Sequence, residues 1–372
     1  MAQGSLDRVL GTATAQKALP VLKREYEPQT RFEFNITPTQ LYEELSESVI
    51  GQREAMQSVC NSVCYHYQGL SNNEASEKSN LLFVGPTGCG KTYVIRKISE
   101  LLNIPFLIAD ATRFSGTGYT GDNVDSLVQD LVIKSEGDTE AASRGIIYLD
   151  EIDKLAAQPG TGRDVSGRDV QNGLLKIIEE GDVKVIGSEG EAVVNTKNIL
   201  FIGGGAFSGV YNILKGDYED PLLQSGSDGE ALADSSSQEL LVALKQYGMI
   251  PELLGRIPVI AKFRELNQED LVNILKESDD SPIESYVNDF RAYGINARFN
   301  EDSFEAIAKL AYERGMGARG LKSVLEETLS SFKFNLPGSR VRKVEFSKET
   351  FENPTDSLVS LMELKNTCKE VI

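Results

Sequence analysis

The stretch GPTGCGKT, from Gly85 to Thr92, carries the clearest chemistry in this sequence. It follows the apolar run Leu81–Val84 and opens a segment whose apolar residues recur at helical spacing. Glycines at such a turn leave backbone N–H groups free to surround phosphate oxygens, and the N-terminus of a following helix favours negative charge. The pattern predicts a phosphate-binding loop, and a chance glycine-rich turn is the alternative.

Two side chains of this loop have predicted roles in nucleotide binding. Lys91 is expected to contact the β- and γ-phosphates of ATP, and Thr92 is expected to ligate Mg²⁺. We interpret Cys89 as a small filler of the loop rather than as a nucleophile. The rest of the predicted nucleotide-binding set in this region consists of Gly85, Pro86, Thr87, Gly88, Cys89, Gly90 and Val94.

Two adjacent carboxylates, Asp150 and Glu151, follow the apolar run Ile146–Leu149. A buried strand that ends in carboxylates places them at the carboxyl edge of a parallel sheet, where nucleotides bind. Asp150 is predicted to hold Mg²⁺ through water, and Glu151 to polarise the water that attacks the terminal phosphate. A solvated acidic turn is the alternative, but the preceding phosphate loop favours the catalytic interpretation.

Five short apolar runs must position these groups. Strands that are apolar on both faces and alternate with helices indicate a buried parallel sheet. The sequence therefore predicts an α/β domain with a five-stranded parallel sheet. The runs are Leu81–Val84, Phe106–Ala109, Ile146–Leu149, Ile199–Ile202 and Ile257–Ala261.

The hydrophobic pattern divides the chain into three parts. Residues 1–36 show weak periodicity and are expected to form a flexible arm, followed by the large domain over residues 37–263. After Phe263, helical periodicity replaces the strand pattern. Residues 264–372 are therefore expected to form a small, mainly helical domain.

One segment within the large domain has a different composition. Between Asp217 and Glu239 there are seven acidic residues, no basic ones and a run of three serines. Such a segment has little apolar surface to bury. We predict an acidic, mobile insertion over residues 211–239.

The net charge argues against nucleic acid as a partner. The chain has 56 acidic and 38 basic residues, giving a formal charge of −18. This excess repels phosphate backbones, and no cluster of Lys and Arg is interleaved with aromatic residues. The apolar runs are too short to span a membrane, and the first residues lack the apolar core of a signal peptide. We expect no nucleic-acid or membrane partner and a cytoplasmic location.

The four cysteines form no CxxC pair, which is typical of a reducing compartment. Cys60 and Cys64 lie one helical turn apart and are followed by His66, the single histidine. A zinc site there would lack a fourth ligand, and His66 points to a different helical face. A reduced, partly buried helix is the favoured interpretation.

Eight segments of the chain form an ordered set that includes the two motifs above. They are VIGQREA from Val49, GPTGCGKT from Gly85, ADATRFSGTGYTGDNV from Ala109, YLDEIDKL from Tyr148, RDVSGRDVQNGLLKIIE from Arg163, ILFIGGGAF from Ile199, YGMIPELLGRIPV from Tyr247 and GARGLKS from Gly317. In these segments and their order, residues 38–345 resemble the ClpX-type AAA+ protein unfoldases of the Clp/Hsp100 family. The resemblance implies an AAA+ P-loop fold with a small helical domain, and ATP hydrolysis coupled to protein unfolding.

The resemblance also implies roles that spacing alone leaves unassigned. Val49 and Ile50 match contacts to the adenine ring. Arg256, in LLGRIP, matches the arginine finger that reaches the γ-phosphate of the neighbouring subunit, and Arg319, in GARG, matches the sensor arginine of the small domain. An arginine supplied by a neighbour requires a ring of identical chains, and the family forms hexamers.

A further match concerns the contact with substrate protein. Gly118, Tyr119, Thr120 and Gly121 match the aromatic pore loop, in which Tyr119 would grip translocating polypeptide. Residues 160–166 match a second loop that faces the pore. A tight turn with a packed tyrosine is the alternative for the first of these loops.

The chain departs from the family pattern in the parts that recruit partners. Residues 1–36 contain no cysteine, so the family's N-terminal zinc domain is expected to be absent. The acidic insertion contains no Ile-Gly-Phe type tripeptide, so we expect a motor uncoupled from the ClpP peptidase, or coupled to a different one. The basic loop at the family's pore entrance corresponds to the acidic residues 187–191, which predicts a different substrate preference. Gly203 lies where many AAA+ proteins place a polar sensor.

Two other classes of function stay open at this point. An AAA+ motor acting on nucleic acid is one, and the net charge disfavours it. A nucleotide-dependent assembly scaffold is the other, but a scaffold that only binds ATP needs neither Glu151 nor Arg256.

Overall fold

The computed structural model describes residues 32–72, 78–114, 123–156, 165–216, 232 and 235–363. The described residues from Phe34 onward form one compact unit, and the fold described below lies within it. Its strands are β1 (Leu81–Val84), β2 (Phe106–Asp110), β3 (Ile146–Asp150), β4 (Asp182–Gly187), β5 (Gly190–Asn195), β6 (Leu200–Gly205), β7 (Val259–Lys262), β8 (Asn296–Phe299) and β9 (Lys343–Phe346).

A five-stranded parallel sheet with the order β2-β3-β6-β1-β7 forms the centre of this unit. In the central register, Leu81 lies between Ile202 of β6 and Val259 of β7. Each of the five predicted apolar runs supplies one of these strands. The predicted α/β fold with a five-stranded parallel sheet is therefore confirmed.

Burial explains why these strands read as unbroken apolar runs. All of β1 and the first four residues of β3 are buried, so both faces of each strand need apolar side chains. Helices pack against the sheet through apolar stripes, as Val94, Ile95 and Ile98 do in the helix after the phosphate loop. The result is a rigid sheet whose carboxyl edge carries the polar residues of the site.

Helices pack around the sheet, and most of the residues after β7 are also helical. Among the described residues, no helix is both long enough and apolar enough to cross a lipid bilayer. The helices are α1 (Pro38–Ser46), α2 (Arg53–Asn72), α3 (Lys91–Leu102), α4 (Ser126–Lys134), α5 (Thr139–Ser143), α6 (Val165–Glu179), α7 (Ser208–Lys215), α8 (Ser237–Tyr247), α9 (Pro251–Gly255), α10 (Gln268–Glu277), α11 (Pro282–Ala292), α12 (Glu301–Glu313), α13 (Ala318–Asn335), α14 (Lys348–Glu352) and α15 (Pro354–Glu363).

Residues 264–363, here called the helical region, have a hydrophobic cluster of their own, which runs from Leu266 to Leu358. Phe346 lies at its centre, with ring centroids 4.9 to 5.6 Å from those of Phe299, Phe332 and Phe290. A separate cluster from Leu82 to Ile257 packs around the sheet. Two distinct clusters support the proposal that a domain boundary lies near residues 263 and 264.

Helix α10 begins at a capping box. The side chain of Asn267 accepts a hydrogen bond from Asp270 N at 2.8 Å, and Asp270 Oδ2 accepts one from Asn267 N at 2.9 Å. Such a cap stabilises a helix by about 1 kcal/mol. The helical region therefore starts at a fixed point only a few residues after β7.

The sequence does not predict two of the strand pairings. Strands β4 and β5 form an antiparallel hairpin, and the acidic residues 187–191 lie at its turn. Strand β9 pairs in parallel with β8, which shows no strand signal of its own. Strands as short as β8 depend on tertiary packing, in this case on the contact between Phe299 and Phe346.

Both ends of the predicted acidic insertion, residues 211–239, lie in helices. Helix α7 includes Tyr211, which is buried, and helix α8 starts at Ser237 after a capping box between Ser236 and Glu239. The capping box of α8 and the buried side chain of Tyr211 in α7 stabilise these two helix ends. The acidic composition of the whole segment gives no indication of either. Residues 217–231 lie outside the described residues, so the expected mobility stays a prediction.

Candidate nucleotide site

The phosphate loop lies between β1, which ends at Val84, and α3, which begins at Lys91. The Lys91 side chain is folded into the loop, where Nζ donates hydrogen bonds to Gly85 O at 2.6 Å and Pro86 O at 2.8 Å. Lys91 is 8% exposed, so these carbonyls replace the water that its ammonium group loses. The loop thus holds one positive charge at the start of a helix.

Gly88 and Gly90 have positive φ values of 81° and 100°, which side-chain-bearing residues rarely adopt. A Cβ on Gly90 would meet no atom within 4 Å, so one side of the loop is open space. A Cβ on Gly88 would lie 2.1 Å from Met316 O, so that side is packed against the helical region. The loop therefore has one open face, on which phosphate oxygens fit, and one closed face.

A carboxylate and a hydroxyl meet beside the loop. Thr92 Oγ1 donates a hydrogen bond to Asp150 Oδ2 at 3.2 Å, across the carboxyl edge of the sheet. The other oxygen, Asp150 Oδ1, accepts from Glu151 N at 3.0 Å and lies 3.5 Å from the Tyr148 hydroxyl. Hard oxygen donors of this kind, one carboxylate with one hydroxyl, are what Mg²⁺ takes from a protein when nucleotide phosphates supply the rest.

Glu151 occupies a strained backbone position directly after β3. Its φ is 55°, in the left-handed region, which costs a non-glycine residue on the order of 1–3 kcal/mol. The hydrogen bond from its own N–H to Asp150 helps to hold this conformation. Glu151 is exposed, whereas Ile152 and Asp153 immediately after it are buried. The turn thus presents one carboxylate to solvent beside the Thr92–Asp150 pair.

Cys89 fits the interpretation as a filler of the loop. The side chain is 2% exposed, and burial raises the pKa of its thiol. A buried, protonated thiol is a poor nucleophile. The neighbouring Lys91 ammonium group, 3.8 Å from Sγ, is not enough to reverse that effect.

The predicted adenine contacts lie on the segment between α1 and α2. Val49 is buried and Ile50 is half-buried. The next buried side chain, Gln52, reaches the phosphate loop through a hydrogen bond from Nε2 to Cys89 O at 3.1 Å. The structure therefore places Val49 and Ile50 close along the chain to a residue that contacts the loop.

The two predicted arginines lie on the surface. Arg256 follows α9, is exposed, and its Nε lies 2.8 Å from Glu179 Oε1 at the end of α6. Its backbone carbonyl accepts a hydrogen bond from Asn80 Nδ2 at 2.9 Å, which ties this turn to the start of β1. Arg319 is exposed in the first turn of α13.

Part of the predicted site lies outside the described residues. Gly118, Tyr119, Thr120 and Gly121 belong to this part, and so do most of the residues of the second predicted loop, 160–166. Their assignment to pore loops stays a prediction.

Sequence reasoning missed three contacts of the site. Gln52 stands in the quoted segment VIGQREA, but nothing in its neighbours indicates a bond to a loop 37 residues away. Glu179, which pairs with Arg256, ends a helix far from it in sequence and gives no local signal. The Tyr148 hydroxyl could have been anticipated, because residues two apart on a strand share one face and Tyr148 is two residues before Asp150.

The cysteine-histidine cluster on α2 has a structural role. Burial raises the pKa of Cys60 to about 12 and that of Cys64 to about 11. Burial lowers the pKa of His66 to about 4, and its Nε2 lies 3.0 Å from Asn198 O. Because a carbonyl only accepts, Nε2 carries the hydrogen and bonds to the protein backbone.

The sheet order, the phosphate loop on β1 and the carboxylate pair after β3 define a P-loop ATPase of the AAA+ class. Two family models match the chain: the AAA domain (Cdc48 subfamily) over residues 76–260, and the C-terminal, D2-small domain of ClpB protein over residues 266–332. The chain is therefore an ATPase with an AAA+ domain followed by a helical domain of the Clp type.

Two individual relatives identify the family of the chain within the AAA+ class. The chain is 38% identical over 338 residues to the ATP-dependent Clp protease ATP-binding subunit ClpX of Borrelia duttonii (strain Ly), a match that covers 85% of this chain and 79% of that protein. It is 37% identical over 327 residues to the ClpX subunit of Azotobacter vinelandii, covering 81% and 74% of the two chains. The chain belongs to the ClpX family.

Proposed function

We propose that this chain is a ring-forming unfoldase that uses ATP hydrolysis to draw other proteins through a central pore. The observation that carries the proposal is the set of ATP-site groups that one chain of the ClpX family contributes, Lys91, Thr92, Asp150 and Glu151. The segment GYTG at residues 118–121 adds the aromatic side chain that a pulling loop needs. An aromatic ring between glycines presses on any polypeptide without reading its sequence.

Within the ATP site, each group has one proposed task. The loop N–H groups and Lys91 bind the phosphates, while Thr92 and Asp150 hold Mg²⁺. Bound Mg²⁺ supplies charge neutralisation on the phosphate oxygens. Glu151 accepts a proton from the attacking water, and its exposed position after β3 leaves it accessible to that water.

The position of Arg256 supports the proposed ring. This residue lies on the surface, where its guanidinium group pairs with Glu179, and this exposed position makes it accessible to a neighbouring copy. An arginine finger of this kind stabilises the charge that develops on the transferred phosphoryl group. Arg319, at the start of α13, is the proposed sensor by which the helical region responds to the nucleotide. We propose a hexamer, as the family forms.

The relation to a peptidase is the second part of the proposal. The relatives named above are subunits of a Clp protease. In this chain, the segment between α7 and α8 lacks an Ile-Gly-Phe type tripeptide, and all of its charged residues are acidic. We propose that this chain works without the ClpP peptidase. Adding ClpP to the purified ring should leave ClpP's cleavage of a folded, tagged substrate at its background rate, and efficient ATP-dependent cleavage would refute this part.

The pore proposal is tested by replacing Tyr119. Tyr119→Ala should keep ATP turnover within about threefold while unfolding of a tagged fluorescent protein falls at least about tenfold, since the grip is lost and the ATP site is untouched. Tyr119→Phe keeps the aromatic ring and should unfold normally. Tyr293, an exposed tyrosine directly after α11, offers the matched control Tyr293→Ala, which should have no effect. Unchanged unfolding by Tyr119→Ala would overturn the pore assignment.

A further inference from the structure

Gln52 lies between the phosphate loop and the segment that leads from β7 into the helical region. It is 3% exposed, and its amide group makes three hydrogen bonds. Nε2 donates to Cys89 O at 3.1 Å and to Arg264 O at 2.8 Å, while Oε1 accepts from Arg264 N at 3.1 Å. Both amide hydrogens are used, and the orientation cannot be reversed because carbonyls only accept.

The backbone that Gln52 holds is fixed to the helical region. The Arg264 guanidinium group binds both carboxylate oxygens of Asp270, at 2.6 and 2.8 Å. Asp270 is 7% exposed and also belongs to the capping box of α10. A bidentate pair of this kind fixes orientation as well as distance. Arg264 and the first turn of α10 therefore move together.

Gly51 packs directly against the ion pair between Arg264 and Asp270. A Cβ on Gly51 would lie 2.6 Å from Asp270 Oδ1 and 2.9 Å from the Arg264 guanidinium group, and its φ is 80°. Only glycine meets both conditions, a left-handed backbone and direct contact with the ion pair. The close approach of Gly51 places Gln52 against the backbone of Arg264.

A second bond links the phosphate loop to the helical region. Ala318 N, in the first turn of α13, donates to Gly88 O at 3.0 Å. Gly88 and Cys89 are consecutive, so two successive carbonyls of the phosphate loop are held from outside. One is held directly by α13, and the other is held by Gln52, which in turn holds Arg264.

We propose that Gln52 is a positioning residue that couples the phosphate loop to the helical region. When nucleotide binds and the Gly88–Cys89 peptides adjust to the phosphates, the Gln52 amide transmits the adjustment to Arg264 and so to α10. The helical region then changes its position with the state of the nucleotide. The inference concerns ATP binding and turnover, and it holds whether or not the ring pulls polypeptide through a pore.

The alternative is that Gln52 only fills buried space, and three variants separate the two roles. Gln52→Glu keeps the shape but places a carboxylate oxygen against two carbonyls, and Gln52→Met keeps the volume without hydrogen bonds. Ser278→Ala is the matched control, because Ser278 Oγ donates to Ser48 O at 3.0 Å, another bond between the helical region and the rest of the unit. The control bond does not involve the phosphate loop.

The readout is backbone hydrogen exchange over residues 264–277, measured with and without ATP and Mg²⁺. ATP should change the exchange rate of this segment in the wild-type protein and in Ser278→Ala, and the change should be lost in both Gln52 variants. Turnover of the Gln52 variants should fall about tenfold at saturating ATP, while the half-saturating ATP concentration changes by less than about threefold. A variant that melts like the wild-type protein and keeps the ATP-dependent exchange would overturn the proposal.

The wild-type protein gives a test that does not depend on the folding of a variant. The Arg264 and Ala318 amides are both donors in the bonds described above, so their exchange rates should shift together when ATP and Mg²⁺ are added. Altered protection of the phosphate loop with an unchanged rate at Arg264 would equally overturn the coupling.

Discussion

The proposed ATP site has two parts that are held in place in opposite ways. The phosphate half consists of Lys91, Thr92, Asp150 and Glu151, and the arginine half consists of Arg256 and Arg319. Lys91, Thr92 and Asp150 are fixed by hydrogen bonds within the loop and across the edge of a buried sheet. Arg256 and Arg319 lie exposed on helix ends, and the ion pair of Arg256 with Glu179 is on the surface. Lys91, Thr92 and Asp150 are proposed to act within one chain and are positioned by its core, whereas Arg256 is proposed to act on a neighbour and stays accessible.

Glu151→Gln should give the largest effect on the phosphate half. Turnover should fall about 10²–10⁴-fold because the proposed base is lost, while ATP binding is retained. The measurement is steady-state phosphate release together with nucleotide affinity. Glu136 offers a matched control, since it is also an exposed glutamate with a left-handed φ, 56°. Glu136→Gln should be silent, and a Glu151→Gln enzyme with normal turnover would place the base elsewhere.

Thr92→Val should give an intermediate effect. Valine keeps the shape of threonine but removes the hydroxyl that bonds to Asp150, so the concentration of Mg²⁺ needed for half-maximal turnover should rise about tenfold. Thr92→Ser restores the hydroxyl and should restore the wild-type Mg²⁺ dependence. If the valine and serine variants behave alike, Thr92 is not a ligand of the metal.

Glu179→Gln should give the smallest effect and therefore sharpens the contrast between the halves. Surface ion pairs contribute about 0–1 kcal/mol, so the melting temperature should stay close to that of the wild-type protein. Turnover should change by less than about threefold, because Arg256 is proposed to act on the neighbouring copy rather than through Glu179. A loss of turnover as large as that of Glu151→Gln would show that the pair works within one chain.

The same contrast explains what the sequence could predict. The five strands, the phosphate loop and the carboxylates after β3 are local patterns, and the sheet is found where the pattern puts it. The cap at Asn267 is equally local. Gln52 and Arg264 are 212 residues apart, so their bond depends on the three-dimensional packing of the whole unit. Strand β8 likewise owes its pairing to Phe346, which α12 and α13 separate from it in the sequence.

The most direct test of an ATP site shared between copies is to mix two inactive variants. The Arg256→Ala variant keeps Glu151 but lacks the proposed arginine finger. The Glu151→Gln variant keeps Arg256 but lacks the proposed base. In rings assembled from an equal mixture, about a quarter of the sites should combine an intact base with an intact neighbouring arginine. The account predicts that ATP turnover of the mixture rises well above that of either variant alone. A mixture that stays as inactive as its components would contradict it.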